Sequence, residues 1–201
     1  MKLLYAAASP FVRKVRVVAA ECGLDDRIEL ISTAAGPGIA DDALKAINPL
    51  AKLPTLVRED GPALFDSRTI CRYLDDLAQG GLYPDGSLWE VLTLEALGDG
   101  ICDAAVLMVY EARFRSGEEQ SESWVEAQWA RVSRSLEALD SVWTSHLAGP
   151  LDIGHIAIAC ALEYIDFRHP DRNWRAAHPS LVDWHAGIKD RPSMQDTSPG
   201  G

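Results

Sequence analysis

The sequence lacks paired cysteines and any recognisable metal-ligand spacing. Its 201 residues include four cysteines and five histidines, and no two cysteines form a C-x-x-C motif. Each cysteine lies among small or branched apolar residues, as reduced and buried thiols do. No two histidines have the spacing of a helical pair. These absences argue against a disulfide framework and predict that the chain binds no metal.

Long apolar runs are also missing. No stretch of 18 or more apolar residues occurs, which excludes a membrane-spanning helix. The first six residues could pass for the start of a signal sequence, but Ser9-Pro10 and the basic run at 13–16 interrupt it before an apolar region forms. We therefore expect a cytoplasmic protein without a membrane partner.

An excess of positive charge is absent as well. The formal net charge is −11, which argues against a nucleic-acid partner. Residues 1–78 carry 10 Lys and Arg against 11 Asp and Glu, whereas the rest of the chain carries 9 against 19. The first part of the chain is therefore the less repulsive place for an anionic small molecule.

Residues 1–78 alternate between strand and helix signals. Strands are predicted at 2–6 and 28–33 around a helix at 10–22, which Gly23 ends, and the two strands should be parallel. A turn-rich loop at 34–38, a short helix at 41–47, a β-hairpin of 55–58 with 63–65 and a helix at 67–77 follow. The order β-α-β-α-β-β-α predicts an α+β, thioredoxin-like first domain.

Residues 79–86 break this periodicity with three glycines and a proline, which is typical of a linker. No strand signal follows. Helices are predicted at 87–114, 124–147 and 152–167, with a last short one around 181–188. The third of these is apolar nearly all round, as a central buried helix should be. The sequence therefore predicts a second, all-helical domain over residues 87–201.

Pro54 stands immediately before a predicted strand, in the run from Asn48 to Leu56. A proline cannot occupy a central ladder position, so it either simply begins the strand or forms a cis bond that turns the preceding backbone outward. In the second case Leu53 would present its N–H and C=O to a ligand, and an extended peptide could pair with them.

Asp66 and Ser67 lie where a strand gives way to a helix. A helix N-terminus offers free N–H groups to a carboxylate, while Asp66 can accept an ammonium group. The pair could therefore hold the head group of an α-amino acid. An ordinary N-cap is the alternative.

Ser9 precedes Pro10 at the start of the first predicted helix, where Ser is a good N-cap and Pro fits the first helical position. Its hydroxyl has one donor and two lone pairs, so it can cap the helix and still donate to a ligand. A thiolate bound there would also interact with the helix N-terminus, which lowers thiol pKa values.

Taken in order and spacing, Ser9, the loop from Asn48 to Pro54 and the Asp66-Ser67 helix start resemble the glutathione transferase family. The helical second part matches too, and the resemblance runs from the first strand to the Arg191-Pro192-Ser193 tail. It is similar to small bacterial members with an N-terminal Ser-Pro-Phe. The resemblance implies a cytoplasmic detoxifying enzyme that uses glutathione as co-substrate, with no cofactor.

The resemblance also implies roles for particular residues. Ser9 would donate a hydrogen bond to the glutathione sulfur, and Leu53, before a cis Pro54, would pair with the cysteinyl unit. Asp66 and Ser67 would hold the γ-glutamyl group. Lys52 would lie near the anionic groups of the peptide, and Phe11 and Arg13 would line the cleft. Candidates for the side of the second substrate are Tyr5, Met108, Tyr110 and Phe114, the last three being equally compatible with core positions.

Two features depart from the family pattern. The helix predicted at 152–167 begins with Asp152, but His155 replaces the usual carboxylate of the capping box, so the reciprocal bond should be weaker and pH-sensitive. Some relatives use a tyrosine near the end of the first strand, so Tyr5 competes with Ser9 as donor to the sulfur. Neither Ala8 nor Ser9 is a cysteine, which disfavours disulfide exchange.

Three function classes remain open on the sequence. The first is conjugation of glutathione to a small hydrophobic electrophile, the second is glutathione-dependent isomerase, dehalogenase or peroxidase chemistry, and the third is a non-catalytic binding protein. The resemblance further implies a two-fold homodimer. The charge distribution of the chain fits such a contact if basic residues such as Arg68 and Arg72 face acidic residues of the other copy.

Overall fold

The computed structural model describes residues 1–199, except for the side chain of Ala40. The last two residues of the predicted helical domain, Gly200 and Gly201, lie outside this range. Within it, no helix is long and apolar enough to cross a membrane.

A three-stranded sheet organises the first part of the chain. Its strands are β1 (Lys2–Tyr5), β2 (Glu29–Ser32) and a third strand at Thr55–Val57, and their order places β1 in the middle. The predicted parallel pairing of β1 with β2 is confirmed, while the third strand is antiparallel to β1. Leu3 and Leu56 face each other in this register and are completely buried.

The segment predicted as a loop at 34–38 contains the short strand β3 (Ala35–Gly36) and a turn, and a second short strand, β4 (Ile39–Ala40), follows directly and pairs with β3. Gly38 has φ +73°, a conformation that glycine adopts without steric cost, and this allows the tight reversal. The third strand of the main sheet is thus β5 in chain order. The turn at residues 37–38 agrees with the predicted loop, but the strands were not predicted, because two paired residues on each side are too few to give a strand signal.

The predicted hairpin at 55–58 and 63–65 is only partly present. Leu56 and Leu64 exchange both backbone hydrogen bonds, at 3.0 and 2.9 Å, but this single pairing is all that remains of the second strand. The chain leaves the sheet directly after it because Asp66 already caps the next helix.

Three helices cover this sheet region: α1 (Pro10–Glu21), α2 (Asp42–Ile47) and α3 (Ser67–Ala78). The predicted apolar face of α1 is buried, and Gly23 ends the helix with φ +64° as expected. Sheet and helices together form the thioredoxin-like α+β arrangement that the element order predicted.

The second part of the chain is helical throughout the described residues. Its helices are α4 (Leu88–Phe114), α5 (Glu122–Val142), α6 (Thr144–Leu147), α7 (Ile153–Arg168), α8 (Pro179–Lys189) and α9 (Pro192–Gln195). The helix predicted over 124–147 is divided after Val142, and the short α9 was not predicted.

Helix α7 is the central element, and every residue from Ile153 to Ile165 is buried. It packs closely on α4, since a Cβ at Gly98 would lie 2.7 Å from the carbonyl carbon of Ala157. It also packs on α1 of the first part. One core cluster therefore joins the sheet and α1 to α7, and a second cluster lies within the helical part. Helix α7 thus supports the helix that Ser9 caps.

Candidate functional site

Ser9 caps α1 as the sequence predicted. Its Oγ accepts a hydrogen bond of 3.3 Å from the backbone N–H of Val12, and Pro10 occupies the first helical position. The hydroxyl proton is not used in this bond, because an oxygen that accepts from an N–H keeps its own O–H to donate. Ser9 is half-buried, so a ligand at the start of α1 can reach that proton.

The loop before β5 is held by the buried amide of Asn48. Its Nδ2 donates to the Lys52 carbonyl at 3.0 Å and to Thr55 Oγ1 at 2.9 Å, while its Oδ1 accepts from the N–H of Leu50 at 3.0 Å. These three bonds fix the loop on both sides of residue 53. They explain why an Asn belongs at this position.

Residue 53 presents its backbone to the outside of this loop. The Leu53–Pro54 peptide bond is cis, as the sequence suggested. Among the described residues, neither the N–H nor the C=O of Leu53 has a hydrogen-bond partner. Two adjacent free backbone groups of this kind are what an extended peptide needs in order to pair as an additional strand.

Asp66 is the N-cap of α3, and the peptide bond before it is also cis. One carboxylate oxygen accepts from the N–H of Arg68 at 3.1 Å, and the other lies 3.3 Å from the Arg68 guanidinium. The side chain nevertheless remains 55% exposed, whereas Ser67 is buried. The N-cap interpretation is confirmed, and the exposed carboxylate still has room to accept an ammonium group.

Behind α3 lies a buried ionic cluster formed by Lys14, Glu95 and Asp99. The Lys14 Nζ is 3.0 Å from Glu95 Oε1 and 2.7 Å from Asp99 Oδ1. Burial lowers the pKa of Lys14, but the neighbouring anionic groups outweigh this and raise it above its usual range. Arg68 joins the cluster through Asp99 at 3.5 Å, so the exposed Asp66 is tied to charges in the interior.

That Arg13 lines the binding cleft stays a prediction. Arg13 lies near Ser9, but its side chain is 4% exposed and its Nη2 donates to Glu163 at 2.7 Å. This guanidinium joins α1 to α7 rather than facing open solvent. Phe11 is half-buried and packs against the core of the helical part, and Lys52 is exposed beside the loop.

The four second-substrate candidates separate into two groups. Tyr110 and Phe114 stack edge to face with ring centres 5.3 Å apart, and Phe114 reaches Gly36 of β3. This pair therefore lies where the two parts of the chain face each other. Met108 is almost fully buried and offers no open surface, and Tyr5 packs against the core of the first part.

Several residues that were not predicted from the sequence lie beside Ser9. A narrow recess is lined by Ala7, Ala8, Ser9, Pro10, Arg13, Cys160, Tyr164 and Pro199. Burial raises the pKa of the Cys160 thiol to about 11, so this cysteine stays protonated near neutral pH. Tyr164 and Cys160 lie in an apolar helix and Pro199 in the tail, so no local signal marked them.

A second polar cluster lies at the start of α7. Asp152 accepts from the N–H of His155 at 3.1 Å, and its carboxylate also contacts the rings of His155 at 2.8 Å and His146 at 2.7 Å. The three potential ligand atoms lie within 4.8 Å of one another, which a metal ion could bridge. This cluster was not predicted from the sequence, because a turn in the chain brings His146 next to the start of α7. That the chain binds no metal stays a prediction.

Comparison with known proteins identifies the family. The model of the glutathione S-transferase N-terminal domain matches residues 8–77, and that of the C-terminal domain matches residues 122–187. A curated relative, the uncharacterized GST-like protein YibF of Escherichia coli (strain K12), is 34% identical over 99% of this chain and 98% of its own. The chain therefore belongs to the glutathione S-transferase family.

Solved structures agree with this assignment. A glutathione transferase family member from Pseudomonas fluorescens Pf-5 with bound glutathione is 43% identical, with a TM-score of 0.96 over 100% of this chain and 99% of that one. A structure from the same organism with bound S-(propanoic acid)-glutathione is 41% identical, with a TM-score of 0.92 over 100% of both chains.

Proposed function

We propose that this protein binds glutathione and activates its thiol for attack on a small hydrophobic electrophile. The single observation that carries the proposal is Ser9, whose Oγ caps α1 through Val12 and keeps its own proton free for a sulfur atom. Glutathione would extend from there along the free backbone groups of Leu53 to Asp66 and Ser67, with Lys52 near its anionic groups.

The chemistry needs a thiolate, because the neutral thiol is a weak nucleophile. A free thiol has a pKa of about 8.5, and a hydrogen bond to the anion contributes about 1.5–3 kcal/mol, or about one to two pKa units. Donation from Ser9, together with the N-terminus of α1, would therefore bring the bound thiol close to a pKa of about 7.

In the reaction the thiolate sulfur attacks an electrophilic carbon and forms a carbon–sulfur bond. In displacement, the leaving group departs with the electron pair of the broken bond. In an addition reaction, the π bond of an activated double bond breaks instead, its electron pair moves onto the neighbouring carbon and the activating group, and the resulting anion takes a proton from water. The S-(propanoic acid)-glutathione held by the relative from Pseudomonas fluorescens is a thioether of this kind, which favours conjugation over the other chemistries.

The test is a titration of the thiolate absorbance of bound glutathione. We expect Ser9→Ala to raise the apparent pKa by about one to two units, with a turnover loss of about tenfold to a hundredfold and little change in glutathione affinity. Pro10 and the N-terminus of α1 remain in this variant, so the helix contribution should persist.

Tyr5→Phe is the matched control, because Tyr5 is the competing hydroxyl donor. If Tyr5→Phe raises the pKa and Ser9→Ala does not, the donor has been assigned to the wrong residue. If neither variant moves the titration, the backbone N–H groups at the start of α1 carry the activation. A protein that does not retain glutathione at all would contradict the whole proposal.

A further inference from the structure

A tight turn brings two histidines to one carboxylate at the start of α7. His146 lies in α6, and the chain then reverses through residues 148–151 to Asp152, the N-cap of α7. The Gly149 N–H donates to the His146 carbonyl at 2.8 Å, and a Cβ at Gly149 would lie only 2.9 Å from that oxygen. Any side chain at residue 149 would therefore displace the turn that sets His146 beside Asp152 and His155.

The Asp152 carboxylate is buried, and within residues 1–199 it has no Lys or Arg partner. It differs in this from Asp99, which contacts Lys14. A buried anion needs partners that carry positive charge or donate hydrogen bonds. For Asp152 the side-chain partners are two imidazoles, with His146 Nε2 2.7 Å from Oδ2 and His155 Nδ1 2.8 Å from Oδ1.

Hydrogen bonds alone do not satisfy the His155 ring. A neutral imidazole has one nitrogen that donates and one that accepts. Its Nδ1 lies against a carboxylate oxygen, and its buried Nε2 has no hydrogen-bond partner among the described residues. With the proton on Nδ1, Nε2 is an acceptor without a donor. With the proton on Nε2, Nδ1 and Oδ1 are two acceptors in close contact, which a cation between them would join.

The side chains of this cluster are held in place by aromatic packing. His146 stacks edge to face on Trp143 with ring centres 5.9 Å apart, and the His155 ring lies 6.1 Å from that of Trp184. The three potential ligand atoms lie within 4.8 Å of one another. Around a tetrahedral zinc ion, ligand atoms about 2.0–2.2 Å from the metal are about 3.3 Å apart. The two short contacts would therefore have to open by only about half an ångström.

We propose that His146, Asp152 and His155 bind a zinc ion that joins the turn after α6 to the start of α7. Two imidazole nitrogens and one carboxylate suit Zn²⁺, whereas Mg²⁺ and Ca²⁺ prefer oxygen ligands. His146 is 19% exposed, so water can reach the ion and complete its coordination. The site uses no residue of the proposed glutathione site. This inference opposes the prediction that the chain binds no metal, because that prediction considered only spacing along the sequence.

Calorimetric titration with ZnCl₂ tests the proposal on the full chain, without a histidine tag, after treatment with a chelator and without glutathione. One ion per chain should bind with a dissociation constant in the micromolar range or below. At a free zinc concentration of about 100 times that constant, the melting temperature should rise by about 5 °C, because the ion binds the folded state. Co²⁺, which is coloured, should give a visible absorption band when it occupies the same site.

Two variants remove one ligand each. His146→Ala should weaken zinc binding by at least about tenfold and abolish the rise in melting temperature, since even an outer partner of a metal site contributes that much. His155→Gln should weaken binding similarly, and a Gln at this position can still complete the capping box. His178→Ala is the matched control, because His178 lies 3.8 Å from Asp140 as a His–Asp pair outside the cluster. It should keep the wild-type affinity.

Three results would overturn the zinc site. The first is a wild-type protein that binds neither Zn²⁺ nor Co²⁺, in which case protons alone hold the cluster together. The second is a loss of zinc binding in His178→Ala that equals the loss in His146→Ala. The third is binding that persists in His146→Ala but disappears in Cys22→Ser, which would assign the metal to the half-buried thiol of Cys22. If His155→Gln shows no cooperative melting transition, His146→Ala decides.

Discussion

Asp66 serves two purposes with one carboxylate. As N-cap it accepts from the Arg68 N–H, and as the predicted ammonium acceptor it must remain accessible. Arg68 could compete for the carboxylate, but its guanidinium is shared with Asp99 at 3.5 Å. Asp99 also lies 2.7 Å from the Lys14 Nζ, so Arg68 is divided between Asp66 and a carboxylate of the buried ionic cluster.

The two roles of Asp66 can be separated by substitution. Asp66→Asn keeps an equally good N-cap but has no charge for an ammonium group, so the melting temperature should hold while glutathione affinity falls by about tenfold to a hundredfold. Asp66→Ala should lose both, and turnover at saturating glutathione should fall less than affinity. Calorimetry and thermal melting measure the two effects.

An N-cap of α2, Asp41, provides the control for this experiment. It is exposed and accepts from the Ala43 N–H at 2.7 Å, so Asp41→Ala should lower stability without touching glutathione affinity. Wild-type affinity in Asp66→Asn would show that the γ-glutamyl assignment is wrong.

At the scale of single residues, helix caps can be predicted from the sequence, whereas contacts between residues far apart in the chain cannot. Ser9, Asp41 and Asp66 were readable as N-caps or helix starts because a cap depends on three or four neighbouring residues. The partner of Arg13 is Glu163, 150 residues away, and no local pattern encodes it. The surroundings of Arg13 could therefore not be predicted from the sequence, and the roles proposed for Arg13 and Met108 stay predictions.

At the scale of elements, the start of α7 shows how a departure from the family pattern is accommodated. The capping box is formed, but its reciprocal bond from the Asp152 N–H to His155 Nδ1 is long, at 3.4 Å, as the sequence led us to expect. His146 adds a contact that the sequence did not predict. Burial raises the pKa of Asp152, but the hydrogen bonds and electrostatic interaction of His155, together with the hydrogen bond of His146, outweigh it and hold the pKa below its usual range.

This arrangement predicts a pH-dependent stability. Because the folded-state pKa of Asp152 lies below the unfolded value of about 3.9, its ionised form stabilises the native state above that pH, and this contribution is lost as the pH falls through the folded-state pKa. Asp152→Ser keeps a cap but removes the carboxylate. Its free energy of unfolding should be lower than wild type by about 1–3 kcal/mol at about pH 5, and the difference should shrink at about pH 3.

Urea unfolding at the two pH values measures the difference. Asp41→Ser is the control, since it replaces an exposed Asp cap by Ser and should give a small difference at both values. An equal loss for Asp152→Ser at both pH values would mean that cap geometry alone, without the ionised carboxylate, accounts for the stabilisation.

Helices with a regular apolar pattern over many residues were predicted from the sequence, whereas short elements that depend on a few tertiary contacts were not. Helices α1, α4 and α7 have regular apolar faces or are apolar throughout, so their signal exceeds that of any competing structure. The two-residue strands β3 and β4 and the four-residue α9 depend on packing against their surroundings. The predicted hairpin shrank to a single pairing because the cap at Asp66 took the following residues into α3.

At the scale of the whole molecule, part of the charge difference between the two parts of the chain is neutralised by buried ion pairs that join them. Arg13 and Lys14 of the first part are buried against Glu163, Glu95 and Asp99 of the second. Buried ion pairs add little net stability compared with apolar packing, but removing one partner costs about 3–5 kcal/mol. These pairs therefore hold the two parts in one arrangement, and with them the distance from Ser9 to α7.

The exposed side chains indicate which kind of contact would hold the predicted homodimer together. Arg68 and Arg72 were expected to face acidic residues of a second copy, but Arg68 already binds Asp66 within the chain and Arg72 lies 4.7 Å from the centre of the Tyr83 ring. Trp89 on the first turn of α4 is 77% exposed. Tryptophan is enriched in the centres of protein interfaces, so an apolar contact is a better basis for a homodimer than the charge pairs.

We therefore predict a homodimer that depends on Trp89. Light scattering at micromolar concentration should give twice the mass of one chain, and Trp89→Lys should give the mass of one chain because a charge at an apolar contact is costly. Leu30→Lys, an exposed apolar position on β2, should remain dimeric. Salt distinguishes the two kinds of contact, since about 1 M NaCl screens exposed charge pairs but not apolar burial. If the dimer dissociates at that salt concentration, charge pairs of Arg68 and Arg72 hold it together rather than Trp89. A wild-type protein that is monomeric would contradict the predicted homodimer.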